Sequence, residues 1–153
     1  MSEHDNVEMV KRGYAAFARG DMQTLLNLFS EDVEFRHPMS TAIWPWAGHR
    51  RGRAQIAEFF AGLAETEEFE HFEARDFIAQ GNTVVVLFFE RFRIKATGRT
   101  VDNELVHVFT LREGQVVQLC IYEDTAPIIA AIRDQEAIYP SPPARPRLAN
   151  GLE

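Results

Sequence analysis

Apolar positions recur at helical spacing along the first thirty residues. Val7, Val10, Tyr14, Phe17 and Ala18 share a face, with Asp5 and Asn6 as cap candidates before them and Gly20 as the stop. Asp21 then caps a second, short helix carrying Met22, Leu25, Leu26, Leu28 and Phe29. The period changes to two at Val33–His37: Val33, Phe35 and His37 point one way, Glu34 and Arg36 the other. Pro38 ends that strand because it has no N–H for a ladder. Residues 38–52 read as a long loop, and loops of this length in a compact domain are usually functional or disordered. Two large indoles make disorder the poorer reading, so Trp44 and Trp46 are either a lid over a pocket or part of a subunit contact. A third helix, Arg53–Leu63, follows with Ile56, Phe59, Phe60 and Leu63 on its apolar side.

Beyond the acidic stretch Glu65–Glu70 the period is that of strands. Four antiparallel strands are predicted, Phe69–Gln80, Thr83–Lys95, Thr100–Arg112 and Gln115–Glu123, joined at Gly81-Asn82, Thr97-Gly98 and Glu113-Gly114. Asp124 or Thr125 caps a last helix, Ala126–Ala137, with Pro127 in its first turn. The pattern is α+β: a cone-shaped, curved, mostly antiparallel sheet whose concave side is covered by the N-terminal helices, leaving a pocket between them. Residues 1–138 form one domain. Residues 139–153, which hold four of the seven prolines, read as an unpacked tail.

Composition narrows the partners. The 153 residues carry 16 Lys+Arg against 23 Asp+Glu, a formal charge of −7, with no basic cluster, which argues against nucleic acid and anionic membranes. The longest apolar run, Val84–Phe89, is far short of the roughly 20 residues of a membrane helix, and Met1–Asn6 has no apolar leader pattern, so a cytoplasmic location is expected. Cys120 is the one cysteine, and the five histidines show no ligand spacing; neither a metal nor a cofactor is expected.

The candidate chemistry lies where strand parity sends polar groups inward. Glu90 falls in the middle of the face made by Val84, Val86, Phe88, Phe92 and Ile94. A carboxylate among Phe rings must be paired, raised in pKa, or bulged out to solvent. Folding at Thr97-Gly98 places it opposite or diagonal to His107, where it would orient the ring. His107 shares its face with Leu105, Phe109 and Leu111, and is either a pocket group or a sheet histidine paired with a neighbouring strand. His37 is either a proton carrier near pH 7 or a core histidine bonding a carbonyl. Glu123 faces inward if Leu119 and Ile121 do. Tyr14 reads as packing first and as a cavity hydroxyl second. Phe17, Phe88, Phe92 and Asn103 complete the expected ligand contacts, with Tyr14, Trp44, Trp46 and Glu123.

Several short motifs in order resemble the nuclear-transport-factor-2-like superfamily, in its SnoaL-like polyketide-cyclase and ketosteroid-isomerase branch. They are Tyr14–Asp21, Glu31–Pro38, Gly52–Ile56, His107–Phe109, Arg112–Gly114 and Tyr122–Pro127. The resemblance implies that His37 stands at the isomerases' general-base Asp, and His107 at the protonated Asp of their oxyanion hole. It aligns the isomerases' catalytic Tyr with Gly13 and the related hydrolases' Asp with Ile121, so neither is inherited. It implies a small apolar carbonyl compound, such as a polyketide, steroid or terpenoid, as ligand. The expected activity is a cofactor-independent isomerase or cyclase with His37 as base, His107 as oxyanion donor and Glu90 tuning His107. The alternatives are a dehydratase of the same fold or a binding and dimerisation module without chemistry. Such folds host many functions, so the fold alone does not choose. A homodimer is expected through the convex face, where Val85, Leu87, Phe89, Val106 and Val108 lie.

Overall fold

Two of the three predicted hairpin turns are found where the sequence places them, at Gly81 (φ 57°) and at Glu113-Gly114 (φ 50° and 75°), conformations in which L side chains are strained; the third, at Thr97-Gly98, is a longer loop over 95–98. In this computed structural model, which describes residues 1–135, the chain runs α1 (Glu3–Ala18), α2 (Met22–Asn27), β1 (Phe29–His37), β2 (Gly48–Arg51), α3 (Gly52–Thr66), β3 (Glu67–Gln80), β4 (Thr83–Ile94), β5 (Thr100–Arg112), β6 (Gln115–Glu123) and α4 (Ala126–Ile132). The six strands form one curved, unclosed sheet in the order β2-β1-β6-β5-β4-β3. β3 to β6 are an antiparallel meander, and β1 joins it parallel to β6. Register shifts at Phe69/His71 and Ala74/Asp76 break the long β3 ladder, and such bulges bend a strand and let a sheet curl.

α1, α2 and α3 lie against the concave side. Their buried residues Val10, Ala16, Leu25, Ile56 and Phe59 meet inward strand residues Val33, Phe35, Val84, Val86, Phe92 and Phe109 in one core. These are the apolar positions that the two periods pick out of the sequence.

Several boundaries differ from the sequence reading, among them those of α3, which runs on to Thr66, and of β3, which begins at Glu67. α1 starts at Glu3, because Ser2 and Asp5 form a capping box: the Asp5 N–H donates to Ser2 Oγ and the Ser2 N–H to Asp5 Oδ2. β1 starts at Phe29, which therefore leaves the second helix. The loop over 38–52 is interrupted by β2, an edge strand paired to β1 through Glu34↔Arg51 and Arg36↔His49. α4 stops at Ile132, and Asp134 takes a left-handed φ of 56°, so the expected extension toward Ala137 ends early. The proposed tail, 139–153, lies outside the described residues.

The loop after β1 is held by one side chain. Arg50 donates to the carbonyls of Trp46 (2.7 Å), Pro45 (3.1 Å) and Gln55 (3.3 Å), and pairs with Glu58. This fastens the two Trp onto α3. Trp44 is buried and donates from Nε1 to Thr66 Oγ1 (3.1 Å), while Trp46 lies over Gly62, the place on α3 where no Cβ stands in the way. On the convex side, Val85, Leu87, Val106 and Val108 are half-buried and Phe89 is covered by the Arg75 guanidinium at 4.5 Å.

Candidate active site

Five neighbouring strands each hold at least one polar side chain on the buried, concave face. β1 carries His37 in phase with Val33 and Phe35, and β6 carries Glu123 in phase with Leu119 and Ile121. β5 carries Asn103, β4 Glu90 and β3 Glu67. His37 Nε2 lies 2.8 Å from Glu123 Oε1, with both side chains almost wholly buried. The Met39 N–H donates to His37 Nδ1 (3.3 Å), which puts the ring proton on Nε2, toward the carboxylate. The contact is close yet off-axis, and Glu123 Oε1 completes no hydrogen bond of good geometry. Asn103 Nδ2 donates to Glu123 Oε2 (2.7 Å) and to Glu90 Oε1 (3.2 Å). The result is a chain His37–Glu123–Asn103–Glu90 that crosses the sheet one strand at a time.

A second couple stands on the other side of the same hollow. The Tyr14 hydroxyl from α1 lies 2.7 Å from His107 Nδ1 on β5. Phe88 stacks on His107 (4.9 Å between centroids) and Phe109 meets it edge-on. Burial pushes the Tyr14 phenol well above its ordinary pKa, so it keeps its proton and donates. Burial, with His37 nearby, pushes His107 down to about 3, so the imidazole is neutral. With Nδ1 accepting, Nε2 carries the remaining proton, and it has no hydrogen bond among the described residues.

The carboxyls are displaced the other way. Burial raises Glu90 to about 8, helped by Glu123 and opposed by the Asn103 hydrogen bond. Burial raises Glu67 to about 9, helped by Glu90 and Glu123. Near neutral pH both hold their protons, because three carboxylates cannot share one apolar space as anions.

The cavity these groups face has a volume of about 130 Å³ and a wall that is otherwise apolar and largely aromatic. That is close to the ~150 Å³ of a hole that holds one benzene ring. It is below the roughly 300–1,000 Å³ of sites for drug-sized ligands. A steroid-sized skeleton does not fit the space as it stands.

His37, His107, Glu90, Glu123, Tyr14, Phe17, Phe88 and Trp44 all line this cavity. Three expectations need correction. Glu90 pairs with Asn103 across the β4–β5 ladder, and His107 pairs with Val86, so Glu90 neither faces His107 nor orients it. Phe92 is fully buried in packing beside Phe69, and Trp46 packs on α3; neither lines the cavity. Asn103 acts one layer back, holding two carboxyls, and is not itself on the wall. The Tyr14 hydroxyl, for which packing was the first reading, is bonded to His107. Sequence reasoning missed Glu67 altogether. Its only signal was its alternation with Phe69, hidden inside an acidic run that reads as a solvated face. Among the described residues no group of His, Cys, Asp and Glu is arranged to hold a metal ion, and no helix is long and apolar enough to cross a membrane.

Residues 10–119 match the family described as the SnoaL-like domain. Among solved structures the chain is similar to an NTF2-like protein from Burkholderia xenovorans LB400, at 36% identity and TM-score 0.78, covering 86% of this chain and 98% of that one. It is also similar to TerC, solved in co-crystals with polyporic acid, at 28% identity and TM-score 0.74, covering 84% and 98%. The uncharacterised protein Rv0034 of Mycobacterium tuberculosis (strain ATCC 25618 / H37Rv) is 26% identical over 127 residues, 82% of this chain and 95% of its own length.

Proposed function

The chain belongs to the SnoaL-like domain family, within the NTF2-like superfamily, and from that premise we propose that it binds a compact, apolar carbonyl compound and moves a proton beside the carbonyl without a cofactor. One observation carries this reading: a neutral hydrogen-bond donor, His107, and the carboxyl of Glu123, whose Oε1 lies 2.8 Å from His37 Nε2, line one small apolar cavity. His107 Nε2–H donates to the ligand's carbonyl oxygen, and the bond strengthens as charge builds there in an enolate. The Tyr14 hydroxyl on Nδ1 fixes the tautomer that makes this possible. Glu123 Oε1 takes the proton from the adjacent carbon, while His37 Nε2–H and the Asn103 amide steady the carboxylate. His37 thus positions the base instead of serving as it, since its own Nδ1 accepts from Met39. Return of the proton to another carbon gives isomerisation, and attack of the enolate on a second carbonyl gives cyclisation.

A dehydratase is the second reading, favoured by Glu67. Its carboxyl holds a proton at neutral pH, and it lines the cavity with no hydrogen-bond partner among the described residues, so it can protonate a leaving hydroxyl. The similarity to TerC, solved with polyporic acid, supports a small organic molecule as occupant. The half-buried Val85, Leu87, Val106 and Val108 on the convex face support a homodimer, for which sedimentation at micromolar concentration would give twice the chain mass.

The test is exchange of the α-protons of simple aryl ketones and enones in D2O, followed by NMR. Wild type should exceed Glu123→Gln by about 10²–10⁴-fold, the usual worth of a positioned base. His107→Ala should cost about 10²–10³-fold. Equal rates in all three proteins, with binding retained, would make this a ligand-binding module and end the catalytic reading.

A further inference from the structure

A second hollow of about 660 Å³ lies between α2, α3 and the beginning of β3. Met22, Leu26, Ala57, Ala61 and Ala64 line it, and charged groups stand only toward its Glu68 and Lys95 end. Those charges are engaged. Glu68 pairs with Arg93, and the Lys95 ammonium donates to the Ala64 carbonyl at 2.6 Å. The groove therefore offers mainly apolar surface, with the Lys95 ammonium, whose charge a carbonyl does not neutralise, confined to one end.

Its inner wall is the outer wall of the catalytic cavity. Phe17, Phe60, Leu63, Glu67 and Phe69 border both spaces. All five are half-buried, and the Phe17 ring touches those of Phe60 (5.9 Å) and Phe69 (5.8 Å) across the partition. The partition is thus made of half-buried side chains alone, with no backbone across it; Phe17 also meets Phe72, and Phe60 also meets Phe29 and Phe59. Rotamer changes of such side chains are fast and inexpensive compared with moving a helix or strand.

We propose that this groove is an outer chamber of the same ligand site, taking an uncharged alkyl or aryl arm of the molecule whose carbonyl end sits in the inner cavity. Phe17 and Phe60 swing aside to let the arm pass. The proposal rests on the carbonyl-ligand reading of the inner cavity and removes its chief difficulty. A space of about 130 Å³ holds little more than one ring, whereas the two chambers together hold a substantially longer molecule. Glu67, at the seam, can donate to an oxygen where the arm joins the head.

The experiment is calorimetric titration of the protein with acetophenone and with hexanophenone, which differ by four methylenes. Wild type should bind hexanophenone at least tenfold more tightly, since a buried methylene is worth up to about fourfold. Ala61→Trp, a substitution at an exposed position whose indole fills the groove, should cut that gain below threefold and leave acetophenone within twofold of wild type. Ala57→Trp serves as the second blocking variant. A chain-length gain that survives both substitutions, or no gain in wild type, overturns the outer chamber and leaves the inner reading standing. Binding of hexanophenone alone, lost in the blocked variants, supports the outer chamber and tells against the inner one. Binding of neither ketone overturns both.

Discussion

Removing the Tyr14 hydroxyl is the cleanest single-atom change in the site. Tyr14→Phe keeps the ring on Phe88, with centroids 5.5 Å apart, and takes away the one donor that His107 Nδ1 has. A neutral hydrogen bond contributes about 1 kcal/mol net, and stranding a buried acceptor costs about 1–3 kcal/mol. The expected result is a stability loss in that range by urea denaturation, with ketone exchange reduced at least tenfold because the His107 tautomer is no longer fixed. Retained exchange would show that Tyr14 only packs. At this scale parity was legible and partners were not. Alternation alone put Glu90 inside, and it is inside. Its partner depended on where the β4–β5 turn is centred. Reading the turn at Thr97-Gly98 brings His107 near, but Ile94 N–H bonds Arg99 O, so the loop spans 95–98 and the register slides by two. A slide of two keeps every side chain on its face and changes every neighbour.

Elements, by contrast, are tied together at few points, and Gly62 is one. A Cβ there would overlap the Trp46 ring. Replacing Gly by Ala in a helix interior ordinarily gains about 1 kcal/mol. Overpacking costs about 1–3 kcal/mol, so the clash wins. Gly62→Ala should lower the unfolding midpoint and shift Trp fluorescence to the red as the loop lifts from α3. An unchanged or raised midpoint would mean that the indole moves aside freely. Ser2→Ala should cost about 1 kcal/mol of α1 stability by loss of the capping box, read as faster amide exchange over Asp5–Val7. Ser2 and Asp5, three apart, carry that box in the sequence, but Asp5 is itself a cap residue and masks the earlier start. β2 had no such signal. Gly48–Arg51 has no apolar alternation and is a strand only because β1 offers it an edge.

For the whole molecule, the buried titrating groups set how stability follows pH. Glu67 and Glu90 have folded pKa values of about 9 and about 8 against an ordinary 4.5. The folded chain therefore holds protons that the unfolded chain has lost. Stability falls as pH rises from about 4.5 through those values, because each proton held by the fold must be given up or kept at growing cost. His107 acts in the opposite direction. Its folded pKa of about 3 against 6.5 means stability is lost as pH falls below 6.5 toward 3, and nothing is gained above 6.5. Between pH 6.5 and 9 only the two carboxyls among these groups act, so the thermal midpoint of wild type should decline over that range. In Glu67→Gln plus Glu90→Gln the decline should flatten, with the variant the more stable at pH 9. Parallel curves would show that neither carboxyl is held neutral by the fold.

The sequence by itself determined the order of the helices and of every strand but β2, the turns at Gly81-Asn82 and Glu113-Gly114, and most of the residues that face the core, because periods of 3.6 and 2 and the backbone demands of glycine are local properties of the chain. Counting along a strand also put His37 and His107 on the inward face, while it left Glu90 open to a bulge and made Glu123 follow Leu119 and Ile121. Only the tertiary structure decided who meets whom. The parallel seating of β1 on β6 brings His37 to Glu123, the packing of α1 brings Tyr14 to His107, and the curl of β3 brings Glu67 beside two other carboxyls. Those contacts join residues far apart along the chain, and no local pattern encodes the register and approach of separate elements.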